Sequence, residues 1–152
     1  MEFGIVDYMG VNYIILGDKN NYIAQIFQVK NSTDRRNKIK AMVGGDKDIL
    51  VFWRTVKDKD KFIDRVDKYL KKPIEDKVII FNNADKIDLS VYEKLKDYMD
   101  AGVGMSFVAK SNKIVRQKLS QVLGIDEDIK FKTDKDPYIN INKKKGRGYN
   151  DK

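Results

Sequence analysis

The sequence predicts an α/β domain in three layers, in which a mostly parallel β-sheet is covered by helices on both faces. Short apolar runs such as "DILVFW" and "KVIIF" are nearly continuous, which is typical of strands buried on both faces. Amphipathic segments with helical spacing alternate with these runs, as expected of strand-helix-strand units. Hydrophobic residues make up 41% of the 152 residues, which is enough for one domain with a sizeable core.

Two β-rich segments near the start predict an antiparallel hairpin. They cover residues 11–16 and 21–29. The stretch "GDKN" between them has the composition of a turn, because Gly, Asp and Asn tolerate turn backbone. The first third of the chain is therefore expected to begin with strands.

A short helix is expected after the hairpin. Ser32 or Thr33 is its expected N-cap, and Gly44-Gly45 is expected to end it. Its weak apolar face consists of Ile39, Met42 and Val43.

From residue 48 onward, strands and helices alternate regularly. The predicted strands cover residues 48–53, 77–81, 104–110 and 128–132. Pro73, Gly102 and Gly124 are expected to end the three helices, and Ser90 with Glu93 has the form of a capping box. The residues expected to face inward are Phe62, Ile63, Val66, Tyr69 and Leu70 in the first of these helices, Val91, Leu95 and Tyr98 or Met99 in the second, and Ile114, Val115, Leu119, Val122 and Leu123 in the third.

Composition excludes several classes of enzyme. The chain has no His and no Cys, so the usual Ser-His-Asp and Cys-His sites and nearly all zinc sites are excluded. The 31 basic and 23 acidic residues give a net charge of +8, which would suit nucleic acid, an acidic protein or an anionic membrane. Both signs are interleaved, however, in stretches such as "VKDKDKFIDRVDKYLKK", which favours a solvated surface.

The first place to search for a nucleotide site is the turn after the first strand of the hairpin. A phosphate-binding loop reads G-x-x-x-x-G-K-[ST], since its glycines let backbone N–H groups close on phosphates. Gly17 is present, but the second Gly and the Lys-Ser/Thr pair are absent, and Tyr22 would fill the phosphate space. The sequence thus predicts a degenerate Walker A position made of Gly17, Asp18, Lys19, Asn20 and Asn21, or else an ordinary hairpin turn.

The second place is the corner after the strand "KVIIF". A hydrolytic Walker B corner needs one carboxylate for the Mg²⁺ shell and usually a second for the attacking water. Asn82-Asn83 occupies this corner, which keeps the volume of two acids but not their charge. We therefore predict a degenerate Walker B position, no catalytic residue, no bound metal and no cofactor. Read alone, the two Asn residues could also simply end a strand.

The order of these segments resembles a known family. "FGIVDYMGVNYIILGDKN" is similar to the entry of FtsK/SpoIIIE-type ATPase domains, and residues 77–132 resemble their second half, with Walker B strand, helix, sensor-type strand, helix and short strand. The ending "KGRGY" resembles the turn after the family's last strands. The best match within the family is the C-terminal module of EssC-type coupling proteins of type VII secretion, which is commonly degenerate. The resemblance covers most of residues 3–149, but both the Walker A and the Walker B motif lack their characteristic residues.

The resemblance implies a RecA-like, P-loop NTPase-like domain over residues 1–142. The composition of residues 143–152, basic and poor in core residues, predicts a flexible tail. It further implies an inactive docking module on the cytoplasmic side of the cell membrane, without direct membrane contact, in a parent protein that carries active ATPase modules. The implied partners are secreted helical proteins or their complexes and the neighbouring ATPase domains. The candidate partner-binding residues are Tyr22, Trp53, Asp85, Arg147 and Tyr149. Tyr22, Trp53 and residues 82–85 are expected to share one concave face at the strand ends.

Two other functions remain open at this point. One is a nucleic-acid-associated module of a phage or plasmid replication system, since the net charge is +8, the tail is basic, and "NNADKI" resembles clamp-loader-like ATPase relatives. The other is an active enzyme with an acid cluster of Asp85, Asp88 and Glu93, although acids near a helix start are more often caps and surface charges.

Overall fold

A computed structural model describes residues 1–134 and contains one seven-stranded sheet and four α-helices in that range. The strands are β1 (Glu2–Tyr8), β2 (Val11–Gly17), β3 (Tyr22–Gln28), β4 (Ile49–Phe52), β5 (Val78–Phe81), β6 (Gly104–Ala109) and β7 (Ile129–Thr133). The helices are α1 (Ser32–Val43), α2 (Lys59–Leu70), α3 (Leu89–Asp100) and α4 (Asn112–Leu123), and a short 3₁₀ turn covers Ala84–Lys86. The α/β prediction is confirmed, with every predicted strand and helix present.

The sheet is mostly parallel, in the order β4-β5-β6-β3-β2-β1-β7. Its parallel pairs are β4 with β5, β5 with β6, β6 with β3, and β1 with β7. The two antiparallel pairs, β1 with β2 and β2 with β3, form a meander that includes the predicted hairpin. The strands β3, β5 and β6 in the middle of the parallel part are mostly buried, as expected where helical crossovers cover a sheet, whereas β7 at the edge is largely exposed.

The strand β1 was missing from the sequence prediction. Its burial alternates only weakly, and Gly4 within it lowers the strand propensity. The reason for Gly4 is tertiary, because a Cβ at this position would collide with the ring of Phe131 on β7. Glycine therefore lets the last described strand pack against the first one.

The two faces of the sheet carry separate apolar clusters, and helices cover both. The α1 residues Ile39 and Met42 pack with one face, which includes Phe27, Ile80 and Val108. Helices α2, α3 and α4 pack on the other face, around rings such as those of Phe81 and Phe107 and the apolar residues of the three helices. Three layers are therefore present, with one helix on one face and three on the other.

The helix ends differ from the prediction in two places. The N-cap of α1 is Asn31, whose side-chain oxygen accepts from the Asp34 N–H at 2.9 Å, and neither Ser32 nor Thr33 caps it. Helix α3 begins at Leu89 with Asp88 at the N-cap, so the capping box of Ser90 and Glu93 is not formed. Asn and Asp compete well with Ser and Thr as caps, which is why composition alone did not decide between adjacent residues.

The helix stops and the inward faces are mostly as predicted. Gly44 and Gly124 are the C-caps of α1 and α4, both in the left-handed conformation. The prediction that Ile114 faces inward is wrong, since its side chain is exposed on α4. It immediately precedes the buried Val115, and one residue turns the helix by about 100°, which places Ile114 at the rim of the buried stripe.

The hydroxyl of Tyr69 joins α2 to two strands. It accepts from the Val78 N–H at 2.9 Å and lies 2.5 Å from the carbonyl oxygen of Asp48 and 3.0 Å from that of Val78. Burial raises the pKa of this phenol, so it stays protonated at neutral pH. One side chain therefore satisfies backbone groups at the start of both β4 and β5.

Tyr69→Phe is expected to lower the free energy of unfolding by about 1–3 kcal/mol, because the Val78 N–H and the Asp48 carbonyl lose a buried partner. Denaturant unfolding followed by far-UV circular dichroism measures this. Tyr8→Phe, at a half-buried strand-end position, is the matched control and is expected to change little. Equal losses in the two variants would contradict the role given to the Tyr69 hydroxyl.

The predicted boundary between domain and tail, at residues 142 and 143, lies outside the described residues, and so do Arg147 and Tyr149. Within residues 1–134, no helix is both long enough and apolar enough to span a membrane.

Candidate functional site

The carboxyl ends of β3, β4, β5 and β6 lie together at one edge of the sheet, because these four strands are parallel. We call this the strand-end edge, and it is where open α/β sheets bind ligands. Phe52, Phe81 and Phe107 pair across β4, β5 and β6, so the residues that follow β4 and β5 are neighbours. Trp53 and Asn82 therefore lie side by side at this edge.

The side chain of Asn82 ties the two corners together. Its amide nitrogen donates to the carbonyl oxygen of Trp53 at 2.6 Å, and its amide oxygen accepts from the Asn83 N–H at 2.8 Å. The backbone N–H of Asn82 also donates to the carbonyl of Phe52 at 3.1 Å. Asn82 is only 7% exposed, so a carboxylate here would be a buried charge facing a carbonyl oxygen.

The next residue, Asn83, also uses both ends of its side-chain amide in hydrogen bonds. Its backbone is left-handed, with φ of 53°, a conformation that Asn tolerates better than most residues. Its amide oxygen accepts from the Arg35 guanidinium at 3.1 Å, and its amide nitrogen donates to the Thr55 hydroxyl at 2.8 Å. The two Asn residues thus connect the corners of β4 and β5 with helix α1.

The connection from β3 to α1 is where a phosphate-binding loop would lie in this fold, and the sequence prediction did not consider it. It consists of residues 29–31, and it is the link from a parallel strand to a helix at the strand-end edge. The Val29 N–H donates to the carbonyl of Ala109, and the Lys30 N–H donates to the Asp34 carboxylate, both at 2.9 Å. Three residues without glycine cannot form the eight-residue phosphate loop. The sequence could have indicated this position, because a phosphate loop joins a strand to a helix and a helix was predicted after β3.

The predicted Walker A position lies elsewhere. Gly17 is the last residue of β2, and residues 18–21 form the turn to β3. Because β3 starts there, this turn lies at the edge opposite Asn82. The Asp18 carboxylate accepts from the N–H groups of Asn20 and Asn21, and a Cβ on Gly17, whose φ is 147°, would collide with the carbonyl oxygen of Asn21. The stretch is an ordinary hairpin turn, and its residues do not share a site with the corner after β5.

Tyr22 is likewise separated from Trp53. It is buried at the start of β3, and burial is the main cause of its raised pKa. The prediction that Tyr22, Trp53 and residues 82–85 share one concave face is wrong, because the chain direction puts Tyr22 at the other end of the sheet. Trp53 and residues 82–85 remain together.

Asp85, just beyond the corner, uses its carboxylate and its carbonyl in structural hydrogen bonds. The Asp85 carboxylate accepts from the Ser111 N–H at 3.2 Å, and the Lys118 ammonium donates to the carbonyls of Asp85 and Ile87. The buried Tyr92 hydroxyl donates to the carbonyl of Ala84 at 2.6 Å, and burial, followed by the nearby charge of Asp85, raises its pKa. No group of three His, Cys, Asp or Glu residues suited to a metal occurs in residues 1–134.

Two cavities adjoin Trp53, whose side chain is 47% exposed. The larger, about 550 Å³, lies between the β4 corner and α2. Its apolar lining residues Phe52, Val56 and Phe62 are buried, whereas its cations, Arg54, Lys57, Lys61 and Arg65, are exposed. The smaller, about 280 Å³, lies between the β4 and β5 corners and α1 and is bordered by Ser32, Arg35, Arg36, Ile39 and Asn82. Trp53 borders both hollows, and cations border each of them at the strand-end edge.

Comparisons of the chain with protein-family models, with curated proteins and with solved structures found no match. Any function therefore has to be argued from the strand-end edge and its residues.

Proposed function

We propose that this chain is a catalytically inactive, ATPase-like α/β module that acts by binding a partner. The observation that carries the proposal is the corner after β5, where Asn82 and Asn83 stand in place of acids and use both ends of their amides in structural hydrogen bonds. A hydrolase needs carboxylates that are available to Mg²⁺ and water at such a corner. The short connection after β3 also lacks a phosphate loop.

The strand order supports an ATPase-like ancestry. RecA-like ATPases place one parallel strand between the strand that enters the phosphate loop and the Walker B strand. Here β6 lies between β3, which leads into α1, and β5, which ends at Asn82. The resemblance is one of topology, and since one fold hosts many functions, the role has to be argued from the surface.

We expect no detectable ATP binding, meaning a dissociation constant weaker than about 1 mM in the presence of Mg²⁺. The phosphates would lack a loop of backbone donors, and the metal would lack a carboxylate. Isothermal calorimetry, with a phosphate-release assay alongside it, measures both binding and turnover. Micromolar affinity or turnover above the buffer rate would overturn the proposal of an inactive module.

The partner of such a module could be a secreted helical protein or a nucleic acid, and each partner needs a different binding surface. A docking module of a type VII secretion coupling protein would need an apolar groove for a helix, with a few apolar anchors. A nucleic-acid-associated module would need positive charge beside an exposed aromatic ring, which is the character of the Trp53 hollows. We therefore favour the nucleic-acid-associated role, and the secretion role remains the alternative.

Competing ligands separate the two roles. The full chain is immobilised and exposed in turn to single-stranded oligonucleotide and to a small helical secretion substrate of the type VII class. Retention of the oligonucleotide alone supports the favoured role, whereas salt-resistant retention of the helical protein alone would replace it with the secretion role.

A further inference from the structure

Trp53 is the exposed aromatic residue of residues 1–134, since every other Phe, Tyr or Trp in that range is buried or half-buried. Phe52, the last residue of β4, is buried in the core, whereas Trp53, the next residue, is 47% exposed. Its backbone is fixed by the bond from Asn82 to its carbonyl oxygen. The indole is therefore presented from a rigid corner and not from a loose loop.

The charges around this ring are strongly one-sided. Arg54, Lys57, Lys61 and Arg65 are exposed on the larger hollow, and Arg36 is exposed on the smaller one. None of these five cations has a carboxylate within ion-pair distance among residues 1–134. The acid that borders the larger hollow, Asp58, uses its carboxylate to accept the N–H groups of Asp60 and Lys61 at the start of α2.

Two other helix lysines, for example, form ion pairs. Lys68 pairs with Asp64 on the outer part of α2, and Lys96 pairs with Asp100 on α3. The cations around Trp53 lack such ion pairs, although Lys57, Lys61 and Arg65 lie in the same interleaved stretch as Lys68. Arg65 is also held in place, with its guanidinium 4.4 Å from the centre of the Phe52 ring.

We propose that Trp53 and the cations around it bind single-stranded nucleic acid, with a base stacked on the indole and the backbone phosphates on Arg54, Lys57, Lys61 and Arg65. A stacking ring inside a basic groove is the usual combination for single strands, because any base offers a face to stack. A duplex keeps its bases stacked on each other and would leave the indole unused. The inference deepens the nucleic-acid-associated role and rests on it, not on the absence of ATP hydrolysis.

The test uses the fact that Trp53 is the single Trp of the 152 residues. The full chain is titrated with an oligothymidylate of about 16 nucleotides, a length within the range of known single-strand sites. We expect a dissociation constant of roughly 1–100 μM at physiological salt, with quenching of the tryptophan emission as the complex forms. Binding of a labelled oligonucleotide, followed by anisotropy, without any change in tryptophan emission would overturn the proposal.

Variants separate stacking from charge. Trp53→Ala is expected to weaken binding roughly 5- to 150-fold, the loss of one stacked base, whereas Trp53→Phe retains most of the affinity. Lys57→Gln with Lys61→Gln is expected to reduce the slope of log affinity against log salt by about 1.4. The matched control, Lys130→Gln with Lys132→Gln, removes the same charge from β7 at the opposite side of the sheet and should leave the slope close to wild type.

Four other results would contradict the proposed single-strand site. Wild-type affinity in Trp53→Ala with a native far-UV spectrum would overturn the proposal, and so would equal salt slopes in the two lysine pairs, since binding would then lie elsewhere on the chain. A duplex of the same length that binds as well would exclude stacking. Polyglutamate that competes equally would assign the surface to an acidic protein. None of these results bears on ATP binding, so the two proposals fail separately.

Discussion

Phe81→Ala is expected to lower the free energy of unfolding by about 3–5 kcal/mol. Phe81 is fully buried, and its ring centre lies 5.5 Å from that of Phe52 and 5.4 Å from that of Phe107, one ring from each neighbouring strand. Removing the middle ring opens a cavity beneath α2, where Phe62 also loses a contact. Because small domains have only about 5–15 kcal/mol in total, the variant should be close to unfolding.

Urea unfolding followed by far-UV circular dichroism measures this loss. Ile114→Ala, at an exposed position of α4, is the control and is expected to stay within about 0.5 kcal/mol of the wild type. A loss below about 1 kcal/mol in Phe81→Ala would mean that the neighbouring rings collapse into the space, and that the stack is not the centre of the core.

Asn82→Asp is expected to cost about 2–4 kcal/mol at pH 7, and this is the second large effect. The amide donor to the Trp53 carbonyl would be replaced by a carboxylate oxygen, and a charge would be buried at a nearly inaccessible site. The acid that a hydrolytic corner requires is therefore incompatible with this corner as it is packed. ATP turnover is not expected to appear in the variant.

The pH dependence gives Asn82→Asp a signature of its own. Burial would raise the pKa of the introduced carboxyl in the folded state above its unfolded value, so folding would bind a proton and the stability deficit would grow as pH rises above about 4. Asn83→Asp is the matched control, because the new charge would face the Arg35 guanidinium and the Thr55 hydroxyl can turn to donate to it. Equal deficits in both variants, independent of pH, would contradict the role given to the Asn82 amide.

Much of the fold could be predicted because buried strands and amphipathic helices alternate so regularly from residue 48 onward. The hairpin of β2 and β3 was predictable from its turn composition. The strand β1 was not, since the need for Gly4 comes from Phe131, more than a hundred residues away. Local propensity carries no information about such a contact.

The site was predicted only in part. The position of Asn82-Asn83 at a strand end follows from the apolar run before it, and the structure places it there. The Walker A position was assigned to residues 17–21 because the first segment of the chain resembles the family's entry strand. That segment ends with β2, whereas the strand that leads into a helix is β3. The cluster of cations around Trp53 joins the β4 corner, α2 and α1, so their shared location could not be read from sequence spacing.

The parallel pairing of β1 with β7 sets an order of events during synthesis. Residues 3–6 of β1 find their partners at residues 129–133, so one edge of β1 is open until the ribosome has released nearly all of the described chain. An open edge beside the buried Phe3 can recruit strands from other molecules. Contacts so distant in sequence also form slowly. A nascent chain stalled before residue 129 would therefore expose the unpaired edge of β1 to other chains.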